Sequence, residues 1–543
     1  MRGLALFLVA FLLLAGTAAA APVGEERAIA IADHDPSVVR ERRENGALGH
    51  SASKVEGHWE VAYFAAGKEV ALVYVDPGSG AVTESWTGYQ VLWKMARGYS
   101  GAFGHKLNAP YVFLPLCALF LLGLLDWRRP WRVATLDLLA LLGFGVSNYF
   151  FNRAQVGVSV PLVYPVLAYL LARALWIGLR GRGEGLRPVW PAAWLFVAAL
   201  FLIGFRVGLN MADSGAIDVG YAGVVGADRI AHGEPLYDNF PDEISQGDTY
   251  GPVNYLAYVP FERIWPWSGS WDDLPAAHAA AVTFDVLAFA LLVWLGLRIR
   301  PGPEGRKLAA TLAFGWAAYP YTAYALESNS NDTLVAALLI AVLLALTRPA
   351  RRGVFAALAT LTKFAPLVLV PMLATHRAKP RTVAIFALAF LGTGAALLLW
   401  PAIDPGLHTF YDRTIAYQAD RSSPFSIWGQ VNGLEPLRIA LLACTGLMAL
   451  AFAIWPRTKS LQQVAALGAA LLIALQLTAH HWFYLYIVWF FPLLLVPLAS
   501  LKGRPSHLQN ASRSGAPAGY PGPAKRAPSS RASEASEVRH FWR

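Results

Sequence analysis

Residues 133–151 read VATLDLLALLGFGVSNYFF, and Arg128, Arg129 and Arg132 stand just before them. A hydrocarbon core roughly 30 Å thick is crossed by about 20 apolar residues in a helix. Basic residues beside such a run mark its cytoplasmic end, because positively charged loops are retained inside. The stretch therefore predicts a membrane-spanning helix that enters the bilayer from the cytoplasm.

Similar apolar runs recur along the whole chain. Of its 543 residues, 56% are hydrophobic and only 15% are charged, and the mean hydropathy is +0.42. This is more apolar surface than a water-soluble core buries, so we expect an all-α polytopic membrane protein. The net charge of +10 resides in short loops and in the tail, which indicates membrane topology and argues against a nucleic-acid partner. Cys117 and Cys444 lie within apolar runs, so neither a disulfide framework nor a cysteine metal site is expected.

The apolar runs and the basic loops between them predict about eleven spans. The predicted spans are 109–126, 133–151, 160–179, 191–209, 278–297, 308–326, 332–346, 382–400, 437–455, 461–478 and 482–498. Residues 108–189 would then form three accessory helices, and residues 190–500 the main membrane domain. The long loops 210–277 and 401–435 would lie on the external side, and long structured loops commonly carry function.

The segment Val354–Ala374 is predicted to be a re-entrant hairpin rather than a span. A full crossing would place Arg377, Lys379 and Arg381 outside and would reverse every later loop. Lys363 and Pro366 stand near the middle of the segment. A lysine and a helix breaker at membrane depth are tolerated where they line a polar cavity.

The two ends of the chain differ in composition from the membrane domain. Met1–Ala21 has the charged start, apolar run and small-residue end of a signal peptide. An uncleaved first helix is the alternative, and it gives the same orientation. Residues 501–543 are basic and rich in Pro, Ser, Ala and Gly, which predicts a disordered cytoplasmic tail.

Residues 22–107 predict a small exported α+β domain. Alternating residues over Trp59–Phe64, Val70–Val75 and Ala81–Ser85, with Gly and Pro at the turns, indicate an antiparallel sheet. The strand-turn-strand around Asp76 resembles the PepSY domain. The sequence Asp33-His34-Asp35 imitates a metal-binding Asp-x-Asp, but its polar helical surroundings favour a solvated surface. We find no catalytic cluster in this domain and expect it to be dispensable for chemistry.

Several short motifs follow one another along the main membrane domain. They are Ile217-Asp-Val-Gly-Tyr221, Tyr250-Gly-Pro-Val-Asn-Tyr255, Ser330-Asn-Asp332, Leu361-Thr-Lys-Phe-Ala-Pro366, Ser423-Pro-Phe-Ser-Ile-Trp-Gly-Gln430 and Tyr486-Ile-Val-Trp-Phe-Phe-Pro492. The order of these motifs, and their predicted position on the same side of the membrane, resemble those of glycosyltransferase family 87 of the C-type (GT-C) superfamily. The resemblance runs from about residue 190 to residue 498. It implies a GT-C-like helical bundle.

The resemblance also implies a reaction. A sugar, with mannose as the expected one, would pass from a polyprenyl-phosphate donor to a lipid or glycan acceptor on the external face of the cell membrane, with inversion. No cofactor is implied, and a divalent metal is not indicated. Asp218 takes the place of the family's first-loop aspartate and would act as the general base. The alternative for Asp218 is a helix-capping role, and Asp213 is its nearest rival.

Cationic groups are needed at the leaving lipid phosphate, and aromatic and amide groups at the sugar. The candidates for the phosphate are Lys363, Arg421, His480 and His481. Each has a structural alternative: Lys363 could extend to the surface, Arg421 could pair with Asp420, and a histidine could be merely interfacial. Relatives often carry Lys near position 480 and Gln near Leu485, so this sequence departs from the family there. The candidates for sugar binding are Tyr221, Tyr237, Tyr250, Asn331, Asp332, Trp428 and Gln430, and for Asp332 helix capping is the alternative.

Some acidic residues receive other interpretations. Asp272 and Asp273 precede a span and are helix-start residues or, alternatively, a metal pair. Asp285 lies inside a span, and we assign it no role. The competing function for the whole chain is a non-enzymatic membrane sensor or lipid-carrier transporter whose exported domain binds a ligand.

Overall fold

The computed structural model describes residues 22–55, 57–98, 104–271, 274–421 and 423–501. The predicted signal peptide, the predicted tail from residue 502 onward, and Asp272 with Asp273 lie outside the described residues.

The N-terminal part is a two-helix, four-strand α+β unit. Its elements are α1 Glu25–Asp33, α2 Pro36–Asn45, β1 Gly49–Val55, β2 His58–Ala65, β3 Lys68–Val75 and β4 Val82–Thr87. The strands form an antiparallel meander in the order β1-β2-β3-β4. Asp35 caps α2 by accepting from Ser37 N at 2.8 Å, and Asp33 pairs with Arg42 at 2.7 Å. The Asp33–Asp35 motif thus has local structural contacts, as predicted for a solvated surface.

The rest of the described chain is helical. The longer helices, together with the short helix α13, are α3 Pro110–Leu124, α4 Val133–Phe151, α5 Val156–Arg180, α6 Ala192–Asp213, α7 Asp218–His232, α8 Pro275–Ile299, α9 Gly302–Ala318, α10 Pro320–Glu327, α11 Asp332–Leu344, α12 Pro349–Thr362, α13 Val370–Ala374, α14 Pro380–Pro401, α15 Glu435–Ile454, α16 Leu461–Leu477 and α17 Ile487–Ser500. Short helical turns occupy Pro252–Leu256, Val259–Glu262, Leu407–Tyr411, Tyr417–Asp420 and Ile427–Gln430.

Within the described residues, six helical segments are long and apolar enough to cross a membrane: 133–151, 156–180, 192–213, 275–299, 380–419 and 435–454. Shorter apolar helices, among them α3, α11, α16 and α17, pack beside them. A largely helical protein with a small N-terminal sheet is therefore confirmed, and these helices are consistent with a polytopic membrane protein, whereas the predicted total of about eleven crossings stays a prediction. The predicted span 308–326 is divided into α9 and α10 at Pro320, which lacks the N–H that would continue the helix.

The segment 349–377 has the shape of a hairpin. The helix α12 ends at Thr362, a 3-10 turn covers Ala365–Leu369, and α13 follows. Lys363 at the tip touches Asp332, the first residue of α11. At the base, Arg377 lines the same cavity as Thr347, which lies just beyond the other end of α11. The segment therefore runs the length of α11 and returns, with its break at Lys363 and Pro366, while the prediction that it re-enters the membrane without crossing it stays a prediction.

Two ion pairs are buried between helices of the bundle. Arg206 on α6 lies 2.8 Å from Asp285 on α8, and Trp316 Nε1 donates to the same carboxylate at 2.9 Å. Arg173 on α5 pairs with Asp137 on α4 at 2.8 Å. A charge within a membrane bundle is costly unless it is paired. Asp285 therefore has a structural contact, at a position to which the sequence assigned no role.

Candidate active site

Asp218 is the first residue of α7, at the start of the first long loop. Ile217 N donates to Ser328 O at 3.2 Å, and a side chain on Gly220 would meet Asn329 O at 2.3 Å. These contacts hold the start of α7 against the turn before α11. Asp218 Oδ1 accepts from Val219 N at 2.9 Å, so the carboxylate satisfies one of the free N–H groups in the first turn of its own helix, although Asp218 is not the N-cap residue. Its Oδ2 has no contact within the described chain.

The Asp218 side chain is exposed to water although protein atoms surround it on many sides. That enclosure raises the pKa of the carboxyl group, while the nearby charges of Arg421 and Lys363 lower it and that of Asp332 raises it. Because the side chain is accessible, solvent screening weakens all of these effects. The geometry nevertheless puts one acidic group, two cationic groups and a second acidic group within electrostatic reach of each other.

Lys363 and Asp332 form the buried part of this site. Lys363 Nζ lies 2.6 Å from Asp332 Oδ1, and the two side chains are only 8% and 0% exposed. Trp489 Nε1 donates to the same carboxylate oxygen at 2.7 Å, whereas Asp332 Oδ2 is buried without a partner. The sequence placed Lys363 at the donor phosphate and Asp332 at the sugar. The structure brings both to one point, where the carboxylate offsets most of the lysine charge.

Aromatic rings surround Lys363. Its Nζ lies 5.3 Å from the ring centre of Tyr250, 5.7 Å from that of Tyr486 and 5.2 Å from that of Trp489. Tyr250 reaches this position because a side chain on Gly251 would lie 2.1 Å from Leu361 O, so only glycine permits the loop to pack against the end of α12. The hydroxyl groups of Tyr250 and Tyr486 donate to no group of the described chain, and each side chain is partly exposed. They form a polar aromatic wall beside Asp218.

Arg421 forms the other side of the site. Its guanidinium carbon lies 5.8 Å from the ring centre of Trp93, and its Nε is buried without a hydrogen-bond partner. Among the described residues the guanidinium has no ion pair. Its donors are therefore available to an anion, whereas the predicted alternative was pairing with Asp420. The side chain of Asp420 lies outside what the structure describes.

The two adjacent histidines occupy different surroundings. His481 Nδ1 lies 2.9 Å from Ser423 Oγ, and the ring packs against Trp93 at 5.9 Å between centres. Burial lowers its pKa well below the usual value, and the charges of Arg421 and Lys363 lower it further. His481 is therefore a neutral group beside Arg421. His480 Nε2 instead lies 3.0 Å from Glu435 Oε2, a carboxylate that also binds Arg438.

The remaining predicted sugar-binding residues are committed to protein contacts. Tyr237 Oη donates to Tyr250 O at 3.0 Å, and Trp428 Nε1 donates to Leu477 O at 3.0 Å. Gln430 Nε2 donates to Pro424 O at 2.8 Å. The structure thus gives these three side chains positioning contacts, and their binding of substrate stays a prediction.

Tyr221 and Asn331 lie deeper. Tyr221 is fully buried, stacked on Trp271 with ring centres 4.6 Å apart. Asn331 is also fully buried, and its Nδ2 donates to Asn254 Oδ1 at 2.5 Å. The rival Asp213 contacts Lys106 through that residue's backbone N–H at 3.2 Å.

Sequence reasoning missed three side chains at this site: Trp93, Tyr486 and Trp489. The latter two stand within the motif 486–492, where the aromatic residues were quoted but given no role. Trp93 comes from the N-terminal part of the chain, and its contacts with Arg421, His481 and Phe425 argue against the expectation that residues 22–106 are dispensable for chemistry. A lone tryptophan in a segment without polar motifs gives no signal in the sequence.

Across the described ranges, no three His, Cys, Asp or Glu side chains gather in a way that could hold an ion. The alternative metal pair, Asp272 with Asp273, lies outside those ranges.

Residues 249–497 match the family model of glycosyltransferase family 87. The predicted enzyme class, a glycosyltransferase, is confirmed by this match. The matched segment contains the aromatic wall, the Lys363–Asp332 pair, Arg421 and both histidines. Asp218 and Trp93 lie before it. A comparison with curated proteins found no match. The match and the apolar helices together support a membrane glycosyltransferase, while the PepSY resemblance is not confirmed.

Proposed function

We propose that this membrane glycosyltransferase transfers a sugar, with mannose as the first candidate, from a polyprenyl-phosphate donor to an acceptor hydroxyl on the external face, with inversion. One observation carries the proposal. An accessible carboxylate, Asp218, lies within electrostatic reach of Arg421, whose guanidinium has no acidic partner in the described chain. A base for the acceptor and an unpaired cation for the leaving group are the two charges that such a transfer needs.

Asp218 suits the role of general base through its two oxygens. Oδ1 is held by Val219 N, and Oδ2 remains open to accept a proton. As the acceptor oxygen bonds to the anomeric carbon, the bond from that carbon to the phosphate oxygen breaks. The acceptor proton passes to Asp218, and the electron pair leaves with the lipid phosphate. Attack from the side opposite the phosphate inverts the anomeric centre.

Arg421 suits the leaving phosphate better than the other candidate cations do. Lys363 is already paired with Asp332 at 2.6 Å, and His480 lies beside Glu435. Arginine also presents several N–H donors in a planar arrangement that matches phosphate oxygens. We therefore assign the first phosphate contact to Arg421 and a longer-range electrostatic role to Lys363.

His481 contributes a neutral hydrogen bond to this arrangement. Ser423 Oγ accepts from Phe425 N at 3.2 Å, so its own proton is free to be donated to His481 Nδ1. The tautomer that follows from this assignment carries its proton on Nε2. This N–H is available to a phosphate oxygen or to the sugar. The hydroxyl groups of Tyr250 and Tyr486 would bind the sugar beside it.

The proposal is tested by incubating the purified protein with radiolabelled polyprenyl-phosphate sugars and a panel of lipid and glycan acceptors. We expect transfer from a polyprenyl-phosphate donor and not from a nucleotide sugar. Transfer that uses only nucleotide sugars would reject the donor class. Binding of the polyprenyl-phosphate sugar without transfer to any acceptor would instead favour the alternative of a lipid-carrier transporter or sensor.

A further inference from the structure

A second polar region lies at the other end of the bundle. The helix α11 starts at Asp332 in the candidate active site and ends, about 20 Å away, at Leu344. There a cavity of about 210 Å³ is lined by Arg298, His376, Arg377 and Lys459 together with leucine and isoleucine side chains of α8, α11 and α16. It gathers residues from four separate parts of the chain and does not touch Asp218.

The lining of this cavity combines basic side chains with apolar ones. None of the lining residues is acidic, and none of its four basic side chains has an ion pair within the described chain. Arg298 donates to Leu344 O at 3.1 Å and Lys459 to Pro456 O at 2.6 Å, so both bind only backbone carbonyl groups. Within the described ranges, the Arg377 side chain forms no hydrogen bond or ion pair. Lys459 is 9% exposed, and a positive charge buried without a compensating carboxylate is costly unless an anion occupies the site. Arg298 and Arg377 are exposed to water, so their donors are accessible to such an anion.

Two buried side chains leave polar atoms without partners here. His376 is 3% exposed, and its Nδ1 has no hydrogen-bond partner. Arg352, whose charge acts on His376, is 1% exposed and has neither Nε nor Nη2 partnered. Burial, followed by the charges of Arg352, Arg377 and Lys459, lowers the pKa of His376 to about 4. The histidine is therefore neutral at physiological pH, and the positive potential comes from the arginines and the lysine.

We propose that this cavity binds the phosphate group of an anionic membrane lipid. The basic residues would hold the phosphate, and the leucine and isoleucine side chains would contact the glycerol and the upper acyl chain. Basic pockets between helices at a membrane surface bind anionic headgroups in this way. Arg377 ends the hairpin that carries Lys363 at its tip, so a bound lipid fixes the base of that hairpin against α8 and the turn before α16.

The first experiment measures lipid retention by native mass spectrometry of the full chain. The probes are phosphatidylglycerol, phosphatidylcholine and inorganic phosphate, each added to delipidated protein. We expect retention of phosphatidylglycerol by the wild-type protein, and weaker retention by the double variant Arg377→Gln, Lys459→Gln, at about fivefold per charge removed. The matched control is Arg381→Gln, an exposed arginine that does not line the cavity, and it should retain phosphatidylglycerol as the wild type does.

The second experiment uses the unaltered protein, so it does not depend on the folding of a variant. A photoreactive phosphatidylglycerol is cross-linked in vesicles of phosphatidylcholine, and peptides that carry adducts are mapped. Adducts at Arg298, at residues 375–377 or at residues 459–461 support the site. Adducts confined to other regions, equal retention of phosphatidylcholine, or an equal loss in Arg381→Gln would overturn it. Stabilisation by inorganic phosphate alone, without retained lipid, would show that the ligand is a free anion and not a lipid.

Discussion

Lys363 Nζ lies 2.6 Å from Asp332 Oδ1, and this contact joins the tip of the hairpin to the first residue of α11. Both side chains are buried, and a third group, Trp489 Nε1, donates to the same oxygen. The pair therefore fixes the position of the aromatic wall formed by Tyr250 and Tyr486 around the lysine. The effect of the Lys363–Asp332 pair on the stability of the protein and its effect on catalysis can be measured separately by mutation.

Removing one partner of this pair should be worse than removing both. The variant Lys363→Met leaves the Asp332 carboxylate buried without a cation, which typically costs about 3–5 kcal/mol. We expect a clear fall in the unfolding temperature of the detergent-purified protein, and a partial recovery in the double variant Lys363→Met, Asp332→Asn. The exposed Lys379→Met is the control. If the double variant unfolds at a temperature no higher than the single variant does, the two charges are not coupled.

Asp218→Asn should abolish transfer and leave the fold intact. Loss of a general base lowers the rate by about 10²–10⁴-fold. The protein should unfold at the same temperature or slightly higher. The pKa of Asp218 is raised in the folded protein, so its ionised form is less stable there than in the unfolded chain. Ionisation of Asp218 therefore lowers the free energy of unfolding as pH rises from about 3.9, the ordinary aspartate pKa, through the raised pKa. Asparagine does not ionise and so avoids this loss. Wild-type transfer rates in this variant would remove Asp218 from the mechanism.

The pH dependence of the wild-type enzyme follows from the same group. The base must be ionised, so kcat/KM should fall as pH is lowered through the pKa of Asp218, which lies above the ordinary value for an aspartate. The acidic limb should therefore appear at a higher pH than an unperturbed aspartate gives. A limb at or below about pH 3.9 would show that burial does not raise the pKa of Asp218 in the working enzyme.

Arg421→Ala should weaken the stabilisation of the leaving phosphate and lower kcat/KM for the donor by about 10²–10³-fold. Arg421→Lys keeps the charge but loses the planar set of donors, so it should restore activity only in part. Arg153→Ala is the control, because that arginine is exposed and contacts only Tyr149. Full activity in Arg421→Ala would transfer the phosphate role to another group.

The N-terminal part of the chain, residues 22–107, should contribute to the site through Trp93. The variant Trp93→Ala removes the ring that lies against Arg421 and His481. The lost cation–π contact is worth about 0.5–2 kcal/mol. If Arg421 then binds the donor phosphate less tightly by this amount, the KM for the donor should rise roughly 2- to 30-fold. Trp93→Phe should recover much of this affinity. Trp59→Phe alters only the core of the N-terminal domain, where Trp59 Nε1 donates to Val23 O at 2.7 Å, and should leave KM unchanged. An equal KM in Trp93→Ala would return the domain to its predicted dispensable role.

The membrane helices could be predicted from sequence because their signal is local. The predicted span 133–151 coincides with α4, and the break at Lys363 was visible as a charge and a proline within an apolar run. The strand β1 could not be predicted, since Gly49–Val55 is polar and lies exposed at the edge of the sheet. The break at Pro320 was overlooked because the apolar composition continues on both sides of it.

The candidate site depends on contacts that composition does not record. The sequence placed Asp332 and Lys363 on the same side of the membrane, but the ion pair arises from the packing of a hairpin against α11. In the same way, Trp428 and Gln430 have the side chains of a sugar site, yet backbone carbonyl groups take their donors. Trp93 reaches Arg421 from a different part of the chain, and only the tertiary structure brings the two together.

The orientation of the hairpin decides whether one external site can hold donor and acceptor. Both ends of segment 349–377 lie at the end of the bundle away from Asp218, because Thr347 and Arg377 line the same cavity. Thr347 and Arg377 therefore lie on the same side of the membrane. The positive-inside pattern then places Lys379 in the cytoplasm. Cysteine labelling tests this in a background from which Cys117 and Cys444 have been removed. We expect an impermeant reagent to label intact cells at Arg153→Cys and Asn432→Cys but not at Lys379→Cys, which should react only after the membrane is opened. Labelling at Lys379→Cys together with protection at Asn432→Cys would place Arg421 on the opposite side from Asp218, and the proposed pairing of base and phosphate-binding arginine would then be wrong.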